Sequence, residues 1–184
     1  MPLSTTPLPY GLRDIKLTSY TTDAATTLAN TAVDLPYART LSFSEAEEFT
    51  ELRGDDQVVT TRGQGASVEW EFESGGLPLD ALKVIAGGTV TETGVSPNIK
   101  KTYAKSNTSS RPFFKIEGQA ISDSGGDLHC VMDRCRATGN IEGEFSDGEF
   151  LLTSASGVAL PSAIASRDGV IYEFVQNETT TAIA

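Results

Sequence analysis

The chain has 184 residues, 39% of them apolar, with 14 basic against 25 acidic side chains and a formal charge of -11. That length suits one domain, because a domain of about 150 residues buries roughly 70% of the surface its unfolded chain exposes. The charge speaks against sequence-specific nucleic-acid binding, since an acidic surface repels phosphate unless its cations cluster, and the nearest approach to a cluster, Lys100, Lys101, Lys105 and Arg111, lies in a Ser/Thr/Asn-rich stretch that reads as a solvated loop.

Residues 1–11 hold three prolines and a glycine, a composition that rules out helix and predicts an extended arm outside the compact domain. Met1 to Pro7 has no positive segment followed by an apolar one, and no window approaches the roughly 18 apolar residues of a membrane span, so neither secretion nor membrane insertion is expected. Leu12 to Tyr20 alternates well enough for a first strand, and the Thr/Ala-rich residues 21–32 read as irregular backbone. Arg39 to Phe43 is a second strand. Phe49 resumes its apolar alternation among Glu45, Glu47, Glu48 and Glu51, Gly54-Asp55-Asp56 supplies a turn, and Val58-Val59 restarts extended structure, which together predict a long projecting hairpin over residues 44–66.

Val68, Trp70 and Phe72 alternate with Glu69, Glu71 and Glu73, the period-two pattern of a half-buried strand. Leu77 to Ala86 predicts the one helix: Pro78 suits the first turn, Asp80 the positive end of the dipole, Leu79, Leu82 and Ile85 make a stripe to pack with Trp70, and Gly87-Gly88 stops it. Strands are then expected over 89–93, 113–119, 128–138, 141–145, 150–154 and 170–175, punctuated by turns at Ser124 to Asp127, Ser146 to Gly148 and Asp168-Gly169. One helix among many strands predicts a mainly β fold, a β-sandwich or barrel over residues 12–176, with 177–184 as a C-terminal tail that is either disordered or a contact arm.

Chemistry is sparse. His129 is the lone histidine, so a Ser-His-Asp or Cys-His site has one possible base; among Leu128, Cys130, Val131 and Met132 it reads as structural. Cys130 and Cys135 are oddly spaced and should sit on opposite faces of one strand as two thiols in a reducing compartment. The acidic turns at 122–127 and 142–149 offer oxygens to calcium, but neither has EF-hand spacing, and Gly63-Gln64-Gly65 lacks the context of a phosphate loop. No catalytic residue, cofactor or metal ligand is assigned, and an enzyme is not expected. Glu69, Glu71 and Glu73 read either as a solvated outer face, paired to Lys115, or as a functional acidic stripe; adjacent carboxylates on one strand offer no concave site for glycosidase chemistry.

The order of strand Arg39–Phe43, long acidic loop, alternating strand Gly65–Gly76, helix Leu77–Gly88 and strands Leu128–Phe150 resembles the major tail tube proteins of siphophages, and the likeness runs from about Tyr10 to Pro161. The resemblance implies a tail-tube β-sandwich with one flanking helix, six copies to a ring, and stacked rings that form the conduit for DNA ejection in the virion after synthesis in the host cytoplasm. It implies as partners further copies of the chain, with tape measure, tail-tip and tail terminator proteins, and genomic DNA that passes without sequence-specific binding. Under it, Glu69, Glu71 and Glu73 are candidates for the lumen lining, with Glu142 and Glu144 as the competing set. Glu51, Gly54, Asp55, Asp56 and Gln57 become candidates for an assembly loop. The alternative from another class is a monomeric β-sandwich carbohydrate-binding or adhesion module, which needs an exposed aromatic platform; Trp70, the one tryptophan, is placed in the core by its alternation.

Overall fold

The computed structural model describes residues 8–76 and 78–183. The chain is mainly β: β1 (Pro9–Tyr20), β2 (Leu28–Asp34), β3 (Ala38–Gly54), β4 (Gln57–Gly75), helix α1 (Leu79–Ala86), β5 (Thr89–Thr93), β6 (Lys100–Ala104), β7 (Phe114–Ser122), β8 (Asp127–Gly143), β9 (Leu152–Leu160) and β10 (Glu173–Asn177). One antiparallel sheet runs β2-β1-β7-β8-β9-β4-β3, with β10 beside the first half of β8, and β5 with β6 forms a separate hairpin. The sheet rolls up until β3 comes back over β1 and β7. Leu41 there fills the space above Gly118, where an added Cβ would lie 2.4 Å from its Cδ2. The result is a sandwich made from one curved sheet.

The alternation of β4 is what the core is built on. Val68, Trp70 and Phe72 are buried; the Trp70 ring stacks on Phe72 at 5.5 Å and 9° and meets Phe114 edge-on at 5.5 Å and 77°, geometries that aromatic quadrupoles favour. Ile15 and Leu17 of β1, Phe114 and Ile116 of β7, and Met132 and Cys135 of β8 complete this cluster. Trp70 fits only because β9 carries glycine opposite it. A Cβ on Gly157 would stand 2.1 Å from the Arg136 carbonyl oxygen, 2.6 Å from Trp70 Cζ2 and 2.8 Å from Ala137 Cα, and two of those three neighbours are backbone that cannot swing aside. Gly157→Ala should therefore cost about 3 kcal/mol in urea unfolding, at the upper end for overpacking, whereas Ser156→Ala on the outer face should change little.

α1 lies against β1, β2 and the β5–β6 hairpin, and buries Ala81, Leu82, Val84, Ile85 and Ala86. Its buried face is wider than the expected stripe because it is covered from two sides; Leu79, at the start, is only half-buried, and Leu77 lies outside the described residues. Pro78 is the N-cap residue and Gly87 (φ 75°) the C-cap, its amide returning to the Lys83 carbonyl 3.0 Å away. Two of the four cations read as a solvated loop, Lys101 and Lys105, are fastened to this helix, while Arg111 donates to the Ala137 and Gly139 carbonyls of β8. Lys100 and Lys101 belong to β6, Lys101 pairs with Asp80 in the first turn, Lys105 donates to the Ala86 carbonyl, and Tyr103 Oη donates to the Gly87 carbonyl at 2.7 Å. Asp80 at the positive end of the helix dipole and Lys105 at the negative end are the complementary groups, and Lys101 offsets the charge of Asp80.

Other expectations are corrected. Leu28–Asp34 is not irregular but an edge strand on β1, a place that β-branched Thr and Val suit. Residues 1–7 of the expected arm lie outside the described residues, but Pro9 to Gly11 are part of β1, and the Leu8 amide donates to Ser122 Oγ at 2.9 Å. The strands expected at 128–138 and 141–145 are one strand, β8, which continues through an irregularity between Ala137 and Ile141. A bulge earlier in β8, where Phe114 opposes Cys135 but Ile116 opposes Met132, reverses the parity of the strand, so Cys130 and Cys135 both lie toward the core. They remain free thiols, since five residues of strand hold them about 16 Å apart, far beyond disulfide reach. Finally, residues 178–183 are a strap laid back on the sheet: Ile183 is 3% exposed and its carbonyl accepts from Lys16 Nζ at 2.7 Å.

Candidate functional site

Beyond Val68, β4 loses its pairing with β9, so residues 57–67 and the facing half of β3 are held only by each other. They form a two-stranded ribbon with solvent on both faces. Ser44 to Arg62 are all exposed, and among the described residues the apolar Phe49 (65% exposed) and Val59 (64%) stay largely uncovered. Gly54 pairs with Gln57 to close a two-residue turn in which Asp55 (φ 53°) and Asp56 (φ 61°) are both left-handed. That is the type I′ geometry that matches strand twist, normally filled by Asn-Gly or Asp-Gly. At about 3.3 Å per residue the ribbon reaches roughly 30 Å past the last row shared with β9, Glu45 opposite Val68. An isolated two-stranded hairpin is marginal in water, and the ion pair near its tip, Arg53 with Glu51 at 2.8 Å, joins two exposed groups and contributes little. All five residues of the candidate assembly loop, Glu51, Gly54, Asp55, Asp56 and Gln57, lie at or next to this tip.

The carboxylates read as two competing sets share one face. Glu73 opposes Ser154 of β9, and Ser154 opposes Glu142 of β8; Glu71 opposes Ser156, and Glu69 opposes Val158. Residues directly opposite in antiparallel strands point the same way, so Glu69, Glu71, Glu73 and Glu142 lie on one outer surface with β9 between them. Glu73, Glu142 and Glu144 line a hollow of about 380 Å³ with Leu152 and Ser154, and Glu69 and Glu71 line a second of about 500 Å³ with Ser42, Ser44 and Ser156. Glu73 is paired with Arg39 at 3.2 Å, while Lys115, the partner expected for this stripe, is bound to Glu117 at 2.6 Å on the opposite side of the sheet's roll. The face is not uniformly negative. Val158 also opposes Arg136, which places Arg134 and Arg136 at its far end, both over the Phe113 ring.

The acidic turn at 122–127 is built around Asp127, which points inward. Asp127 is fully buried and accepts from Gln119 Nε2 (2.5 Å), Asn177 Nδ2 and the Thr181 amide (both 2.8 Å), and His129 Nε2 (3.0 Å). Nε2 of His129 faces only acceptors, Asp127 and the Thr181 carbonyl at 3.0 Å, and so acts as a donor to them. The histidine thus helps hold the strap. Among the described residues no three His, Cys, Asp or Glu side chains are gathered as metal ligands, and no helix is long and apolar enough to cross a membrane.

An aromatic surface that the sequence reading missed joins β3 to β10: Phe43 lies 5.2 Å from Phe174 and 6.1 Å from Tyr172, whose hydroxyl donates to Glu45 at 2.8 Å. The rings are tilted by 34° to 69°, so they clasp the rolled sheet at its seam and make no flat platform for a sugar. Nothing but proximity between residues 127 or more positions apart signals it. No protein-family model matches the chain, and no curated protein matches it.

Proposed function

We propose that this chain is a structural subunit of a phage tail tube, assembling into stacked six-membered rings that conduct DNA. The observation that carries the reading is the solvent-bathed ribbon of β3 and β4, a costly structure to order by itself and a reasonable one if it folds against a neighbouring copy. Free edges on β2 and β3 add surfaces that a closed ring would pair and a monomer would leave exposed. The acidic face of Glu69, Glu71, Glu73, Glu142 and Glu144 is the proposed channel lining, where carboxylates keep phosphate from adhering. In this reading the other partners are tape measure, tail-tip and terminator proteins, and the site of action is the virion.

The test replaces Glu51 to Gln57 by a short Gly-containing turn and follows assembly by electron microscopy and sedimentation, with tail-tip partners present to nucleate it. The shortened chain should melt as cooperatively as the parent and yet form no stacked rings, because no contact of the core depends on these residues. A parent chain that stays monomeric even with those partners would overturn the reading, and a shortened chain that still stacks would remove the ribbon from it.

A further inference from the structure

The charges of Arg134 and Arg136 are left over. In a chain with 25 acidic side chains, Arg39, Arg53 and Arg167 have carboxylate partners within 3.2 Å, whereas Arg134 and Arg136 have none among the described residues and, unlike the equally unpaired Arg13 and Arg62, are half-buried. Both guanidinium carbons lie over the same ring, 4.6 and 3.7 Å from the Phe113 centroid, so two like charges are held within a ring's width and its two contact gaps of each other. The ring quadrupole relieves part of that repulsion. Arg134 reaches only the Pro161 carbonyl, at 3.5 Å and in an exposed position, and the Nε atoms of both arginines are buried without an acceptor among the described residues. With Nε buried, the terminal nitrogens of each guanidinium are what a partner can reach, and a fork of that kind stacked on a ring is a receptor for carboxylate.

The complement is on the same chain, at the tip of the ribbon; the ribbon's root, Val68 opposite Ala159, lies level with these arginines, so the tip stands a ribbon's length away from them. The ribbon from Ser44 to Ala66 carries six carboxylates against Arg53 and Arg62, and its tip presents Asp55 and Asp56 side by side on a two-residue turn, beyond the reach of its own sheet. A type I′ turn is better served by glycine, yet both positions keep a carboxylate. We infer that Arg134, Arg136 and Phe113 form the socket that receives Asp55 and Asp56 from the ribbon of a second copy of this chain. The inference rests on the assembly reading and names the contact through which one ring engages the next. Two carboxylates would thereby meet two guanidinium groups that have no carboxylate partner among the described residues.

The experiment is a charge exchange. Arg134→Glu with Arg136→Glu, and separately Asp55→Arg with Asp56→Arg, should each raise the protein concentration needed for ring stacking by about tenfold or more, while the melting curve of the isolated subunit is unchanged. The fourfold variant that carries both exchanges should stack again. If the double glutamate exchange impairs folding through the lost ring contact, Arg134→Gln with Arg136→Gln removes the charge more gently and should give the same loss. Normal stacking by a folded variant without the two arginines, or no recovery in the fourfold variant, overturns the socket and leaves the tube reading standing. A parent chain that never assembles overturns both. Short duplex DNA is the remaining probe: binding by the parent that disappears with the arginines, while stacking persists, would make phosphate the occupant and also overturn the proposal.

Discussion

Asp127→Ala is expected to free the C-terminal strap and to cost about 3 to 5 kcal/mol, the range for removing one partner from a buried charged network. The carboxylate has no contact with solvent and takes four donors from four parts of the chain, β7, β8, β10 and the strap itself. Alanine leaves those donors facing a void, and each buried donor without an acceptor carries its own penalty. Asn177 and Thr181 then lose their anchor, so the amide of Thr181 should exchange with deuterium far faster than in the parent. Asp127→Asn, which keeps one acceptor oxygen and the shape, should lose distinctly less. Burial alone would push this carboxyl's pKa up; the donors, led by the Thr181 amide, outweigh burial and hold it at about 2, below the ordinary value of 3.8. A folded pKa below the unfolded one means stability that is fully present above pH 3.8 and lost as pH falls toward 2. The penalty of Asp127→Ala measured in urea should accordingly shrink between about pH 5 and pH 2. A mutant as stable as the parent at neutral pH, with Thr181 still protected, would show that the strap is held by Ile183 and Lys16 instead.

The strap shows what a sequence hides. Asn177 to Ala184 is short and rich in Thr, which locally resembles a disordered tail, and the order of its described part, 177–183, comes from Asp127, about fifty residues earlier in the chain. The same holds for Lys101 and Lys105, whose partners are the two ends of a helix that precedes them. Local periodicity, by contrast, survives folding: Val68, Trp70 and Phe72 are buried and Glu69 and Glu71 exposed as their alternation requires, and Gly87 ends the helix as its φ of 75° requires. The long hairpin was legible for the same reason, since Asp55-Asp56 marks its turn and charge excludes both arms from a core. Parity fails at one place, the β8 bulge. One extra residue there moves Cys130 to the face of Cys135, and no composition signal marks it. The relation of Glu73 to Glu142 was equally hidden, because it depends on β9 lying between two strands about seventy residues apart.

Tails assembled from a chain carrying Glu69→Lys and Glu71→Lys should form normally and eject DNA poorly. Both side chains are exposed and form no ion pair among the described residues, so the exchange leaves the folded subunit intact, whereas Glu73 is left in place because Arg39 depends on it. If this face lines the channel, each ring of six gains about twelve cations where it had carboxylates, two from each subunit. The polyanion then meets a row of phosphate contacts in place of a repelling wall. Such contacts release counterions, so the block should weaken steeply as salt rises from about 50 to 200 mM, and a block of any other origin should not. Arg134 and Arg136 at the far end of the same face sharpen the expectation. If, as proposed, the ribbon of a neighbouring ring engages them, they are neutralised and the channel is left net negative; Arg134→Gln with Arg136→Gln would then affect stacking and not the speed of DNA in those tails that do form. Normal ejection at low salt, from correctly assembled tails that carry both lysine substitutions, would turn this face outward and leave the channel to another part of the sheet.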